Sequence, residues 1–381
     1  MHIVPVASGK GGVGKSLVSA NLAIALAQAG KRVVLADLDL GGSNLHLILG
    51  VRAAGASLGS FLSDKATDFR SVIQTTDVPN LSFIPGDAEI PGLANLPSSQ
   101  KRMLTRRLSA LEADFLILDL GAGTSRNILD FFLLSGQGIV VTTPTPTATV
   151  NAYLFLKNVM FRILHSTVGR KGPGAEFLNE LMRDKTKLQS VYLPDIVKKL
   201  RARAPEAATE YEQRIRRFRP RVIMNMIEDP KDAEKVNRLR RSTQQYLDID
   251  LLHLGIMYRD DLQDTALGAR IPIVRYKPQS ILSQAIYRIA EKVVQLSAEE
   301  DSRPLDLEAI DDSFDAAEME AEADFETKLN YIEELLQSGA LSHGDLIETI
   351  KSQHFEITQL KKQNNLYKAK LVRAMQAGFQ G

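Results

Sequence analysis

Cysteine is absent from all 381 residues. That excludes disulfides, thiolate metal sites and cysteine nucleophiles together, and it fits a reducing compartment. No apolar run approaches the length needed to span a bilayer. The amino terminus runs straight into an apolar stretch and a glycine-rich loop, with no basic, apolar, small-residue leader. A cytoplasmic protein is expected, with peripheral contact at the inner membrane face left open. Net charge is lacking too: 47 Lys and Arg against 46 Asp and Glu leave +1. Attraction to nucleic acid or acidic lipid must therefore come from a local patch. With 44% hydrophobic content, a chain of this length accommodates one large α/β domain and an appendage.

What is present begins at once. The apolar run His2 to Ala7 leads into Gly9-Lys10-Gly11-Gly12-Val13-Gly14-Lys15-Ser16-Leu17. A loop that holds a triphosphate must turn tightly and aim successive backbone N–H groups inward, which glycines permit. The helix expected from Lys15 points its positive dipole end at the phosphates. Lys15 can reach the β and γ oxygens, and the Ser16 hydroxyl can ligate Mg²⁺. Strand before and helix after are the context this pattern requires, so a nucleotide-binding loop is expected.

Lys10 is a second lysine, which an ordinary phosphate loop does not need. With it, KGGVGKS resembles the deviant Walker A motif of the MinD/ParA family of ATPases, in its MinD-like and FlhG-like members. The resemblance implies a doubly wound, mostly parallel α/β fold, ATP and Mg²⁺ as ligands, and a homodimer glued by ATP, with Lys10 contacting the partner's phosphates. It also implies a second motif at Asp37-Leu38-Asp39-Leu40-Gly41-Gly42-Ser43-Asn44-Leu45. There Asp39 would orient the attacking water and stand near the metal, so Lys10, Lys15 and Asp39 form the expected catalytic set. Asp37 is open between a site role and a structural hydrogen bonder. The absence of cysteine sets the chain apart from relatives that carry iron–sulfur clusters.

Further along, Val51 to Gln100 is rich in turn residues around a short strand, Leu81 to Ile84. A basic helix, Gln100 to Leu111, leads to the apolar strand Asp114 to Asp119, closed by Gly121-Ala122-Gly123. This resembles a Walker B pattern, in which Asp119 would hold Mg²⁺ through a water and the turn would sense the γ-phosphate. MinD-type proteins commonly carry proline in this turn, and this chain does not. Strand Gly138 to Thr143 precedes a long helix with Thr147 as candidate N-cap. Residues 165–219 read as an insertion with Lys198, Lys199, Arg201, Arg203, Arg214, Arg216, Arg217 and Arg219. It is either a docking surface for DNA, acidic lipid or an acidic partner, or a solvated helical lobe.

The core resumes at Arg221 to Met226, where Asn225 matches in place the family's adenine contact. The resemblance ends near residue 297. Residues 298–325 read as an acidic flexible linker, and 326–381 as a helical tail. In the tail Ile350, Ile357, Asn364 and Leu371 fall seven apart, beside Leu346, Gln353, Leu360, Tyr367 and Ala374. A short coiled coil, a helix docked in cis and lipid insertion are the readings of the tail, the last ranked lowest. The expected function is an ATP-hydrolysing dimerisation switch in spatial positioning of a division site or flagellum, with an unidentified protein activator or cargo. Two alternatives stand beside it: a ParA-like partitioning ATPase binding DNA non-specifically, and a nucleotide-dependent scaffold whose tail recruits a partner.

Overall fold

Val33 to Leu38 and Phe115 to Leu120 show little polar alternation, and both become central strands buried on each face. The computed structural model describes residues 1–338 apart from 41, 52–54, 65, 87–95, 170, 184–191 and 299–306. It also describes 342, 344, 347, 348, 350–352, 354, 355, 357–360, 362, 363 and 367.

The first half runs β1 His2–Ser8, α1 Lys15–Gln28, β2 Val33–Leu38, α2 Leu45–Leu49, α3 Leu58–Ser63, β3 Gln74–Thr75, β4 Leu81–Ile84 and α4 Ser98–Ser109. Then come β5 Phe115–Ala122, α5 Arg126–Phe132, β6 Ile139–Thr142 and α6 Pro146–Thr167. Helices α7 Pro173–Arg183, α8 Leu193–Arg203 and α9 Pro205–Arg216 build the insertion. The core closes with β7 Arg221–Ile227, α10 Lys235–Leu247, β8 Leu252–Tyr258, α11 Leu262–Gly268, α12 Ile273–Tyr276 and α13 Ile281–Ala298, and α14 Leu307–Gln337 follows.

Among the described residues the sheet has eight strands in the order β3-β4-β2-β5-β1-β6-β7-β8, with only β3 antiparallel to its neighbour. From β1 the chain crosses to β2 on one side, and from β5 it crosses to β6 on the other. The carboxyl ends of β1, β2 and β5 thus meet where the winding reverses, the place at which such sheets leave a crevice. The residue capping helix α1 is Gly14, whose φ of 83° is left-handed. It is buried along nearly its whole length, and its Leu22, Ile24 and Leu26 share one core cluster with Ala285, Ile286 and Ile289 of α13.

Two expectations are corrected, the cap of α6 and the acidic linker, and the charge of the insertion gains detail. The N-cap residue of α6 is Thr145, with Pro146 at the first helical position, so Thr147 is free for another task. The basic face of the insertion is partly neutralised from within, by Arg201–Glu212, Arg203–Glu180 and Arg214–Glu210 pairs. The acidic stretch is not a linker throughout. Residues 299–306 lie outside the described set, but α14 begins at Leu307 and buries Ile310, Phe314, Ala317 and Ala321. Their 4-3-4 spacing is one helical stripe beneath an acidic outer surface.

That stripe covers the edge strand β8. The Ser313 hydroxyl accepts the His253 backbone N–H at 3.1 Å, and the Tyr258 hydroxyl donates to the Ala321 carbonyl at 2.7 Å. Covering an edge with a helix removes its unpaired backbone groups from solvent. The chain divides into two compact units, Met1–Ala323 and Asp324–Gly381. In the second, the described residues from 344 to 367 are helical, and Ile350, Ile357, Leu360 and Tyr367 are exposed. Leu346, Gln353, Asn364, Leu371 and Ala374 of the heptad reading lie outside the described residues.

Candidate functional site

Strand β1 ends at Ser8, whose hydroxyl donates to the Lys10 carbonyl at 2.9 Å and starts the loop. Gly12 and Gly14 adopt φ of 79° and 83°, a region costly for side-chain residues. Steric fit constrains two positions further. A Cβ on Gly9 would lie 2.0 Å from the Asn151 carbonyl oxygen of α6, and one on Gly14 would lie 2.2 Å from Asn225 Nδ2. The loop is therefore seated between α6 and the end of β7. Asn225 is buried and donates Nδ2–H to the Val13 carbonyl at 2.9 Å, bracing the loop directly.

Lys15 is the first residue of α1 and only 7% exposed. Its ammonium donates to Asp119 Oδ1 at 2.8 Å and to Ser16 Oγ at 3.1 Å. Ser19, one helical turn on, donates its hydroxyl to the same Asp119 oxygen at 2.8 Å. Asp119 stands beside Val6 on one side and Asp37 on the other in the strand register, which is why three distant segments share this spot.

Asp37 works as a brace. It accepts the Ser43 hydroxyl at 2.6 Å, the Asp39 backbone N–H at 3.0 Å and the Leu45 N–H at 3.4 Å, fixing the turn that carries Asp39. Burial, and after it the Asp119 carboxylate, pushes Asp37 up to about 6, against these hydrogen bonds and the Lys15 charge. Asp39 is half-buried, and its carboxyl is also raised, first by burial, with Lys15 opposing and Asp119 adding. A Cβ on Gly121 would come 3.0 Å from Asp39 Oδ1, so the carboxyl end of β5, which extends through Ala122, lies directly against this carboxylate.

Lys10 faces the other way. It is exposed, and its ammonium reaches Thr147 Oγ1 in the first turn of α6 at 3.1 Å. The fold thus gathers Lys15, Ser16, Asp119 and Asp39 on one side of the loop, sets Asn225 behind it and turns Lys10 outward. The sequence reading does not single out Ser19 or the Asn151 carbonyl, and it takes Thr147 for a helix cap, not a partner of Lys10. Ser19 had a local signal, four residues after Lys15 on the same helix; the other two are joined to the loop only by the tertiary fold.

A polyphosphate with its metal fits this donor set. Backbone amides in a glycine-shaped concavity and a buried ammonium suit phosphate oxygens. The described residues hold no cluster of three or more carboxylate or imidazole groups able to bind a metal alone. A cation at Ser16 and Asp119 would need the phosphates themselves as ligands, as Mg²⁺ in such sites does.

A glycine loop between strand and helix, with carboxylates at the ends of β5 and of β2 beyond it, defines a P-loop NTPase. The comparisons with known proteins narrow this. Residues 1–165 match the family model described as "ParA: NUBPL iron-transfer P-loop NTPase". The antiactivator FleN of Pseudomonas aeruginosa is 24% identical over 296 residues, 77% of this chain and 86% of FleN. The flagellum site-determining protein YlxH of Helicobacter pylori is 33% identical over 156 residues, 40% of this chain and 52% of YlxH. Of the curated relatives that match at 33–35% identity, the chain spans about half the length. In structure, the septum site-determining protein MinD of Pyrococcus horikoshii, complexed with Mg-ADP, aligns over 79% of this chain and 99% of its own. The TM-score is 0.53 at 20% identity, a likeness of fold. The chain carries the MinD/ParA type of P-loop fold, and its first 165 residues match the ParA family.

Proposed function

We propose that this protein is an ATP-binding and ATP-hydrolysing dimerisation switch of the MinD/ParA type, acting in the cytoplasm to position a division site or a flagellum. The observation that carries the reading is the opposite disposition of the two loop lysines. Lys15 is buried and bonded to Asp119, whereas Lys10 is exposed and directed away toward Thr147. A lysine needed only by its own nucleotide would gain from facing inward; one directed outward suits phosphates held by a second subunit.

In this reading Lys15 and the loop amides hold the β and γ phosphates, and Asn225 contacts the base while bracing the loop. Ser16 and Asp119 would hold Mg²⁺, which neutralises phosphate charge when bound. Asp39 orients the water, held in place by the Asp37 turn. The names of the relatives, a septum site-determining protein and a flagellum site-determining protein, support the positioning role. DNA partitioning has less support, because three of the insertion's arginines are engaged by glutamates.

Light scattering with ATP and Mg²⁺ tests the switch. Asp39→Ala should bind ATP, dimerise and remain dimeric, while Lys10→Ala should bind ATP and stay monomeric. An ATP-induced dimer of Lys10→Ala would refute the assignment in trans. Wild-type turnover by Asp39→Ala would remove Asp39 from the catalytic set, and unimpaired cellular function of that variant would favour the scaffold reading.

A further inference from the structure

We propose that the cleft between α5, α6 and α7 is a docking groove for an acidic amphipathic helix of another protein. A cavity of about 280 Å³ opens where the turn after β5 meets α6 and the first helix of the insertion. Its walls are apolar, with Leu129 from α5, Phe161 from α6, and Leu178 and Leu181 from α7. Its mouth is basic, formed by the exposed Arg126 at the start of α5 and by Arg162 of α6. Nearby Asp130 does not balance this charge, since it is shared by two cations, Arg162 at 2.5 Å and Lys101.

Size and charge together select the occupant. The volume falls just under the roughly 300–1,000 Å³ typical of small-molecule pockets. It suits one or two large apolar side chains, the kind of anchor that dominates a protein interface. Guanidinium groups beside apolar walls match a helix with leucine or phenylalanine on one face and carboxylates at its border. Nucleic acid would satisfy the arginines but set phosphates against leucine and phenylalanine walls.

The groove also touches the nucleotide site. Thr124 lines it and lies three residues after Gly121, which sits at the end of β5 against Asp39. A helix seated there would favour one arrangement of that segment, so its binding and nucleotide binding would be linked reciprocally. This linkage rests on the ATPase reading; the docking itself does not.

The test uses the full chain and a fluorescent synthetic peptide, helical and amphipathic, with leucine and phenylalanine on one face and glutamate on the other. Anisotropy without nucleotide should show saturable binding. Arg126→Glu, an exposed change, and Leu181→Glu, at the half-buried rim, should each weaken binding by about tenfold or more. Thermal unfolding at the wild-type midpoint certifies that both variants are folded. A peptide with lysine in place of glutamate should bind at least about tenfold more weakly. Absence of saturable binding, equal binding of the two peptides, or unchanged binding in both variants overturns the groove. Tighter binding of a DNA duplex that displaces the peptide and is lost in Arg126→Glu overturns the partner class. A change of about threefold or more in peptide affinity with ATP and Mg²⁺ supports the linkage. No change removes the linkage and leaves the docking established.

Discussion

Lys10 Nζ and Thr147 Oγ1 lie 3.1 Å apart, joining the outward-facing lysine of the phosphate loop to the first turn of α6. The partners are 137 residues apart in sequence. They meet because β6 pairs with β1 and delivers α6 beside the loop. Removing the acceptor while keeping shape separates two roles for Lys10. In Thr147→Val, ATP affinity should stay within about twofold of wild type, since Lys15 and the loop amides are untouched. Calorimetric titration showing a loss of tenfold or more would mean that Lys10 serves its own nucleotide through this contact.

The loop glycines differ in what they tolerate. A Cβ at Gly9 would collide with the α6 backbone, whereas one at Gly11 meets nothing within 4 Å. Gly9→Ala should destabilise the protein by about 1–3 kcal/mol, the range for forcing an overpacked contact, and Gly11→Ala by a few tenths at most. Urea unfolding without nucleotide compares them. Equal midpoints would show that the loop does not press on α6.

Legibility followed the range of the forces involved. The loop could be read because Gly12, Gly14, Lys15 and Ser16 act within one turn, and β5 because an apolar run ending in Asp119 is a local pattern. The cap of α6 was misplaced by two residues although the signal was there: Pro146 favours the first helical position, which assigns the cap to Thr145. The brace at Asp37 is not legible locally, since Ser43, Asp39 and Leu45 converge on it only through the turn's conformation. The first part of helix α14, residues 307–325, reads as linker for a different reason. Its charge density resembles that of a disordered segment, and the stripe Ile310, Phe314, Ala317 and Ala321 is thin. Only an edge strand needing cover makes that stripe sufficient.

Phe314 is the largest side chain of that stripe. It is 3% exposed, stacks edge-on against His253 with ring centroids 5.2 Å apart, and lies under the Arg240 guanidinium at 4.6 Å. Phe314→Ala should cost about 3–5 kcal/mol, as for other buried phenylalanines. Tyr258→Phe, which deletes the hydrogen bond to Ala321, should cost about 1 kcal/mol. Chemical denaturation measures both. Wild-type stability of Phe314→Ala would mean that α14 does not stay on β8 in solution.

His253 makes the same contact sensitive to pH. It is 2% exposed, and among the described residues neither ring nitrogen has a hydrogen-bond partner. Burial, and after it the charge of Lys292, lowers its pKa from 6.5 to about 3. The charged groups around it are paired across the same seam, Lys292 with Glu320 at 2.7 Å and Arg240 with Asp311. Because the folded pKa is depressed, the unfolded chain binds the extra proton first. Stability from neutral His253 is full above 6.5 and is lost as pH falls toward 3. The slope approaches about 1.4 kcal/mol per pH unit once the unfolded chain is protonated. His253→Leu keeps the apolar contact with Phe314 and deletes the titration. Between pH 7 and 5, wild-type stability should fall relative to His253→Leu by about 1–2 kcal/mol. Parallel stability curves for the two proteins across that interval would show that His253 is protonated as readily in the folded protein as in the unfolded chain, and α14 would then not seal this strand from water.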